Sequence, residues 1–176
     1  SIMTGIVPLM VILFEMPLLN QKYGLVMISH QANFNYIFFW ILAFSFFAFL
    51  TTLLREIIKD AEDFEGDSAF GMNTLPIYIG QKNTKIVLVS LVFLILGLLS
   101  VIFIRFLLFR GMSIDYLTSG YFLTFLVIPL VFLFYRISIA KTKRDYHNAS
   151  MITKLIMLAG ILYSFMVRYI VLNQIL

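Results

Sequence analysis

A bundle of membrane-spanning helices, all-α and polytopic, is the fold the sequence predicts, and three observations carry the prediction. Of the 176 residues, 61% are hydrophobic and 12% charged, with a mean hydropathy of +0.98, far above the apolar share of an ordinary soluble domain. Five stretches reach the ~20 mainly apolar residues that the hydrocarbon core of a bilayer demands. The remaining length leaves no room for a separate soluble domain, so residues 1–176 read as one membrane domain. Cysteine is absent, which excludes a disulfide framework, thiolate metal sites and a cysteine nucleophile. No nucleic-acid partner is expected; membrane lipids are.

The first span covers about Ser1 to Leu19, with Gly5, Pro8 and Pro17 in it or at its edge as marks of kinks or ends. It starts inside an apolar run without a basic leader, unlike a signal peptide, so the chain is expected to be the C-terminal part of a longer polypeptide. Glu15 lies near the boundary and reads as an interfacial carboxylate. Asn20 to Asn35 is a short polar link, and its His30, with no partner at ligand spacing, reads as a surface residue. The second span, about Asn35 to Leu54, is dense in Phe and has Tyr36 and Trp40 as headgroup-level anchors. The same helix is expected to continue past Arg55 to Gly66. Gly66 and Gly71 then loosen the backbone, and Pro76 argues against further regular helix before the third span, about Ile86 to Phe109. The fourth runs from about Leu117 to Ile139, with a kink expected at Pro129. Arg136 to Lys154 reads as a basic link facing headgroups. Within it, Asn148-Ala149-Ser150 fits a glycosylation pattern that is common by chance and that the orientation disfavours. The last span, about Met151 to Leu172, contains Arg168, read as snorkelling to the interface.

The polar stretch from Arg55 to Gly80 interrupts this apolar pattern. Six of the nine acids in the chain, Glu56, Asp60, Glu62, Asp63, Glu65 and Asp67, crowd into it. On an α-helix, Asp60, Asp63 and Asp67 fall on one stripe with Glu56. Negative charge at a helix C-terminus opposes the macrodipole, and like charges three or four residues apart repel. A bound cation offsets that repulsion, and closely spaced carboxylate oxygens completed by water and substrate phosphate are how proteins hold magnesium. The alternative is a solvated acidic loop paired to Arg55 and Lys59, which has no need of this spacing.

Charge also orients the chain. The acidic loop and the basic link lie two crossings apart, hence on one side, and together carry Arg55, Lys59, Lys82, Lys85, Arg136, Lys141, Lys143, Arg144 and Lys154. The other side carries Lys22, Arg105 and Arg110. The positive-inside rule therefore predicts that the site, a loop over about residues 55–85, faces the cytoplasm of a bacterial or archaeal cell.

Lys59, Asp60, Glu62, Asp63, Gly66 and Asp67, followed by Gly71, Thr74, Leu75, Pro76 and Gly80, resemble the second aspartate motif of the UbiA superfamily of intramembrane prenyltransferases. Arg55-Glu56 extends the match, and the version is most similar to the digeranylgeranylglyceryl phosphate synthase branch. The resemblance implies a nine-helix bundle, of which five spans are present here, with a second aspartate motif on helices upstream of this sequence. It implies that Asp63 and Asp67 are catalytic and bind one Mg2+ with Asp60 assisting. The substrates it implies are a prenyl diphosphate and a lipid-like acceptor, a prenylated glycerol phosphate. Lys59, Lys82 and Lys85 are the cations offered to the diphosphate, or else face solvent and headgroups. Asn73, with Gly71 and Thr74, is expected to shape the substrate-binding loop. An aromatic prenyltransferase shares these motifs and is the nearest alternative. A cation transporter is a weaker one because the spans hold almost no acids, and a non-catalytic membrane subunit would not require the intact aspartate triplet.

Overall fold

A computed structural model describes residues 34–104 and 116–175 continuously, with residues 3, 6–8, 10, 11, 13–15, 17 and 21; side chains of the continuous segments are described over 39–104 and 119–165. Ten of the nineteen positions of the first expected span are described, all helical, Pro8, Glu15 and Pro17 among them, with Glu15 exposed; His30, most of the Asn20 to Asn35 link and the side chain of Arg168 lie outside the described residues. The described segments are helical throughout apart from short links, with no strand among the described residues. Helix α1 spans Phe34–Glu62 and α2 spans Phe64–Ala69. Helix α3 spans Leu75–Ile102, and α4, Tyr116–Tyr121, passes through a π-helical turn, Phe122–Val127, into α5, Ile128–Ile139. Helix α6 spans Lys143–Ile175. Four helical stretches, 39–62, 75–102, 119–139 and 143–165, are long and apolar enough to cross a membrane.

Buried positions recur every three or four residues on each long helix, the period of a helix with one packed face. Thr84, Leu88, Val92, Ile95 and Leu99 mark this face on α3, and Phe122, Leu126, Leu130, Leu133 and Ile137 mark it through the π turn and α5. Leu54, Ile57, Ile58 and Ala61 supply α1, while Ala149, Thr153, Ile156 and Ala159 supply α6. The four faces close a ring in which α1 packs on α3 and α6, and α5 packs on the same two. Between membrane helices the attraction comes from close packing rather than expulsion of water, which favours small residues at contacts. Gly160 of α6 is such a contact: a Cβ there would stand 2.5 Å from Cε1 of Phe47 on α1.

Four expectations are corrected. The carboxylate stripe does not lie on one helix, because α1 stops at Glu62 and Asp63 sits in a bend at φ −94°, ψ 8° before α2. Acids opposing the macrodipole and one another weaken the last turn. Pro76 does not prevent helix; it lies in the first turn of α3 behind the N-cap Thr74, where a missing N–H costs nothing. The third span therefore begins near residue 75, which moves Lys82 and Lys85 from a loop onto a helix. The basic link is much shorter than Arg136 to Lys154, since α5 ends at Ile139 and α6 begins at Lys143. A reciprocal capping box stops it: Thr142 N–H donates to Asp145 Oδ2 at 2.9 Å, and Asp145 N–H donates to Thr142 Oγ1 at 3.3 Å. Asn148-Ala149-Ser150 is thereby helical, with Ala149 and Ser150 buried. Where a kink is expected at Pro129, the helix carries a π turn that ends two residues before the proline.

Candidate functional site

The C-terminus of α1, the segment 63–74 and the N-terminus of α6 meet at one end of the bundle. Lys59 Nζ donates to Glu62 Oε2 at 3.0 Å and reaches Asp63 Oδ2 at 3.6 Å. Lys143 of α6 stands 3.3 Å from Asp63 Oδ1, and His147, one turn further along α6, lies with Nδ1 2.9 Å from Glu62 Oε1. Two acids of the sequence cluster are thus tied to a helix 80 or more residues away in the chain.

The segment between the long helices is held by glycines in specific roles. Gly71, at φ 66°, is the left-handed residue of a Schellman motif closing α2. Met72 N–H donates to Asp67 O at 2.9 Å, and Gly71 N–H to Ser68 O at 3.4 Å. Gly80, at φ 81° and ψ 154°, breaks α3 into a short first turn and a long second part. Nothing lies within 4 Å of a Cβ built on either glycine, so it is their backbone angles, not crowding, that demand glycine. Asn83 Nδ2 and Thr84 Oγ1 donate to the carbonyls of Ile79 and Gly80 at the break, each at 2.9 Å.

Of the residues singled out from the sequence, Asp60, Asp63 and Asp67 all lie at this end, half-buried. Asp60 is within Coulomb reach of Asp67, Glu56 and Asp63. Among the described residues no three Asp, Glu or His side chains are gathered into a ready metal cage. The donor set is carboxylate oxygen alone, which fits magnesium, an ion commonly held by one or two carboxylates with water and substrate phosphate. Lys59 joins the cluster, as described. Asn73 and Lys82 are exposed. Lys85 points elsewhere: its ammonium donates to the carbonyls of Ser138, at 3.3 Å, and Ala140, closing the C-terminus of α5. A cation there complements the macrodipole and satisfies carbonyls that have no helical donor.

Sequence reading passed over Lys143 and His147. The available signal was the capping motif Thr142-x-x-Asp145, which starts a helix and puts Lys143 and His147 on one face of it. Two buried donors at this end, Nε of Arg55 and Oγ1 of Thr74, have no hydrogen-bond partner among the described residues. Further down, apolar cavities flank α1. One of about 220 Å3 lies between α1 and α3 and includes Phe39, Phe46, Phe47 and Leu98. Another of about 300 Å3 lies between α1 and α6 and includes Phe44, Phe47, Met157 and Gly160.

The model of the UbiA prenyltransferase family matches residues 22–155. The digeranylgeranylglyceryl phosphate synthase of Pyrococcus horikoshii is 58% identical over 40 residues, 23% of this chain and 14% of that protein. The protein of the same description from Methanobrevibacter smithii is 43% identical over 60 residues, 34% of this chain and 21% of the relative. That from Methanothrix thermoacetophila is 53% identical over 51 residues, 29% and 19% respectively. The match thus spans only about a fifth or less of the length of these curated relatives. No solved structure gives a significant match.

Proposed function

The chain belongs to the UbiA prenyltransferase family, and from that premise we propose that it acts in the magnesium-dependent transfer of a prenyl group from a prenyl diphosphate to a lipid-phase acceptor. With four helices long and apolar enough to cross a bilayer, it is an integral membrane protein. The observation that carries the reading is the gathering of Asp60, Asp63 and Asp67 at one end of an apolar bundle, with Lys59 and Lys143 on Asp63, and apolar cavities beside the Phe-rich α1 further down the bundle.

In this reading Asp63 and Asp67 hold one Mg2+, with Asp60 assisting. When bound, the ion neutralises charge that builds on the departing diphosphate. The chain's own residues do the rest. Lys59, Lys82 and Lys143 offer ammonium groups to the diphosphate oxygens, and the N–H of Arg55 and O–H of Thr74, without partners among the described residues, are donors suited to the same oxygens. Lys85, engaged on the end of α5, is left to hold the fold. The apolar cavities receive the prenyl tail and keep water from the reacting carbon. The C–O bond to diphosphate breaks, a bond from an acceptor oxygen to the prenyl carbon forms, and the acceptor's proton is released. The acceptor is a prenylated glycerol phosphate, the reading favoured by the names of the relatives. The basic residues gathered at this end support a cytoplasm-facing site in an archaeal or bacterial membrane.

The test is Asp63→Asn and Asp67→Asn in the native membrane protein. Each is expected to lower prenyl transfer by at least ~100-fold while the protein inserts and folds as before. Unchanged turnover in both overturns the assignment.

A further inference from the structure

Glu62 is the carboxylate that the proposed chemistry leaves unused, yet it is the most deeply held acid at the site. Its side chain is only 6% exposed, compared with 45% for Asp63. Both its oxygens are engaged, Oε2 by Lys59 at 3.0 Å and Oε1 by His147 at 2.9 Å. An ionised carboxylate only accepts hydrogen bonds, so the contact requires the proton on Nδ1 of His147, whatever the state of Nε2. Lys59 lies on the same helix as Glu62; His147 does not. The His147 contact therefore fixes α1 to α6 at the last residue of α1, the point from which the chain turns away into Asp63 and α2.

We propose that Glu62 and His147 are a positioning pair: their hydrogen bond pins the end of α1 to α6 and so sets the directions in which Asp63 and Asp67 leave the helix relative to Asp60. Neither side chain is a ligand. Asp63 is the joint between the two helices: its N–H donates to Lys59 O at 3.0 Å, its carbonyl accepts from Asp67 N–H at 2.9 Å, and its ψ of 8° places it in the bridge region between helix and strand. Small rotations at Glu62 would swing everything after it. Anchoring residue 62 is thus the economical way to hold carboxylates that lie on two separate helices at a common spacing. The pair rests on the reading of the aspartates as metal ligands, and its own contribution is to affinity for the cation rather than to chemistry after binding.

The experiment is binding of Mn2+ alone to the native membrane protein, followed by electron paramagnetic resonance, with the Mg2+ dependence of transfer measured in parallel. His147→Leu is expected to weaken Mn2+ binding about ten-fold, the lower end of the loss seen when a residue that orients metal ligands is removed. The Mg2+ concentration for half-maximal transfer should rise in step, with kcat at saturating Mg2+ close to native. His147→Asn, whose amide N–H stands where Nδ1–H stood, should recover most of the affinity, and His147→Leu should add little in a Glu62→Leu background. If His147→Leu does not accumulate folded, His147→Gln replaces it, since its amide matches Nε2 instead and should show the same loss. Native Mn2+ affinity in the His147 variants, with transfer abolished by Asp63→Asn, overturns the positioning pair and leaves the prenyltransferase reading intact. Native affinity and transfer in Asp63→Asn overturn both.

Discussion

Gly80→Ala separates two opposite expectations by sign. At φ 81° and ψ 154°, Gly80 occupies a region that is open essentially to glycine alone and costs other residues roughly 1–3 kcal/mol. An added Cβ would meet nothing within 4 Å, so no steric term adds to or masks the backbone penalty. Were residue 80 an ordinary interior position of a continuous α3, the same change would stabilise by about 0.5–1 kcal/mol, because glycine in a helix is that much worse than alanine. The structure thus calls for a loss of about 1–3 kcal/mol where helix propensity calls for a gain. The assay is reversible unfolding in mixed micelles as the fraction of denaturing detergent rises, followed by circular dichroism. Straightening of the helix would also reset the Asn83 and Thr84 hydrogen bonds and displace Lys85 from the end of α5. A Gly80→Ala protein equal to or more stable than the native one would refute the break in α3 and the placement of Lys85 that depends on it.

The two lysines assigned different work should fail differently. Lys85→Met is expected to cost about 1 kcal/mol of stability, the worth of a cation at a helix C-terminus, and to leave KM for prenyl diphosphate unchanged; Lys143→Met is expected to raise that KM several-fold with unfolding unaffected, since its contact is a solvent-exposed ion pair. Steady-state kinetics beside the unfolding assay would show it, and the reverse pattern would exchange their roles. Gly160→Val should destabilise by roughly 1–3 kcal/mol through overpacking against Phe47. Adding Phe47→Leu should recover part of the loss; an additive pair of losses in the unfolding assay would mean that the two residues do not meet.

Much of this protein follows from local properties of the sequence. Hydropathy marks the spans because a segment crossing hydrocarbon must be apolar along its whole length. The spacing of Asp60, Asp63 and Asp67 after an apolar helix marks the polar end, and the glycines at 71 and 80 mark positions whose angles other residues avoid. Element ends were less legible. Pro76 reads equally as a breaker or as the first turn of a helix, and only the extended N-cap Thr74 before it shows which. Arg136 to Lys154 reads as a loop by charge, although Thr142 and Asp145 cap a helix inside it.

What only the tertiary structure decided is which charges meet. Lys59, Lys82, Lys85 and Lys143 are alike in sequence, since a lysine near acids carries no record of where its ammonium goes. Packing of α3 against α5 carries Lys85 to the carbonyls of Ser138 and Ala140, and packing of α6 against α1 carries Lys143 to Asp63 and His147 to Glu62. Hydropathy and helix period are properties of neighbours in the chain, which the sequence displays directly. The Glu62 to His147 hydrogen bond joins residues 85 apart, and its existence depends on the rotation and axial offset of two helices, which only the packing of their buried faces determines.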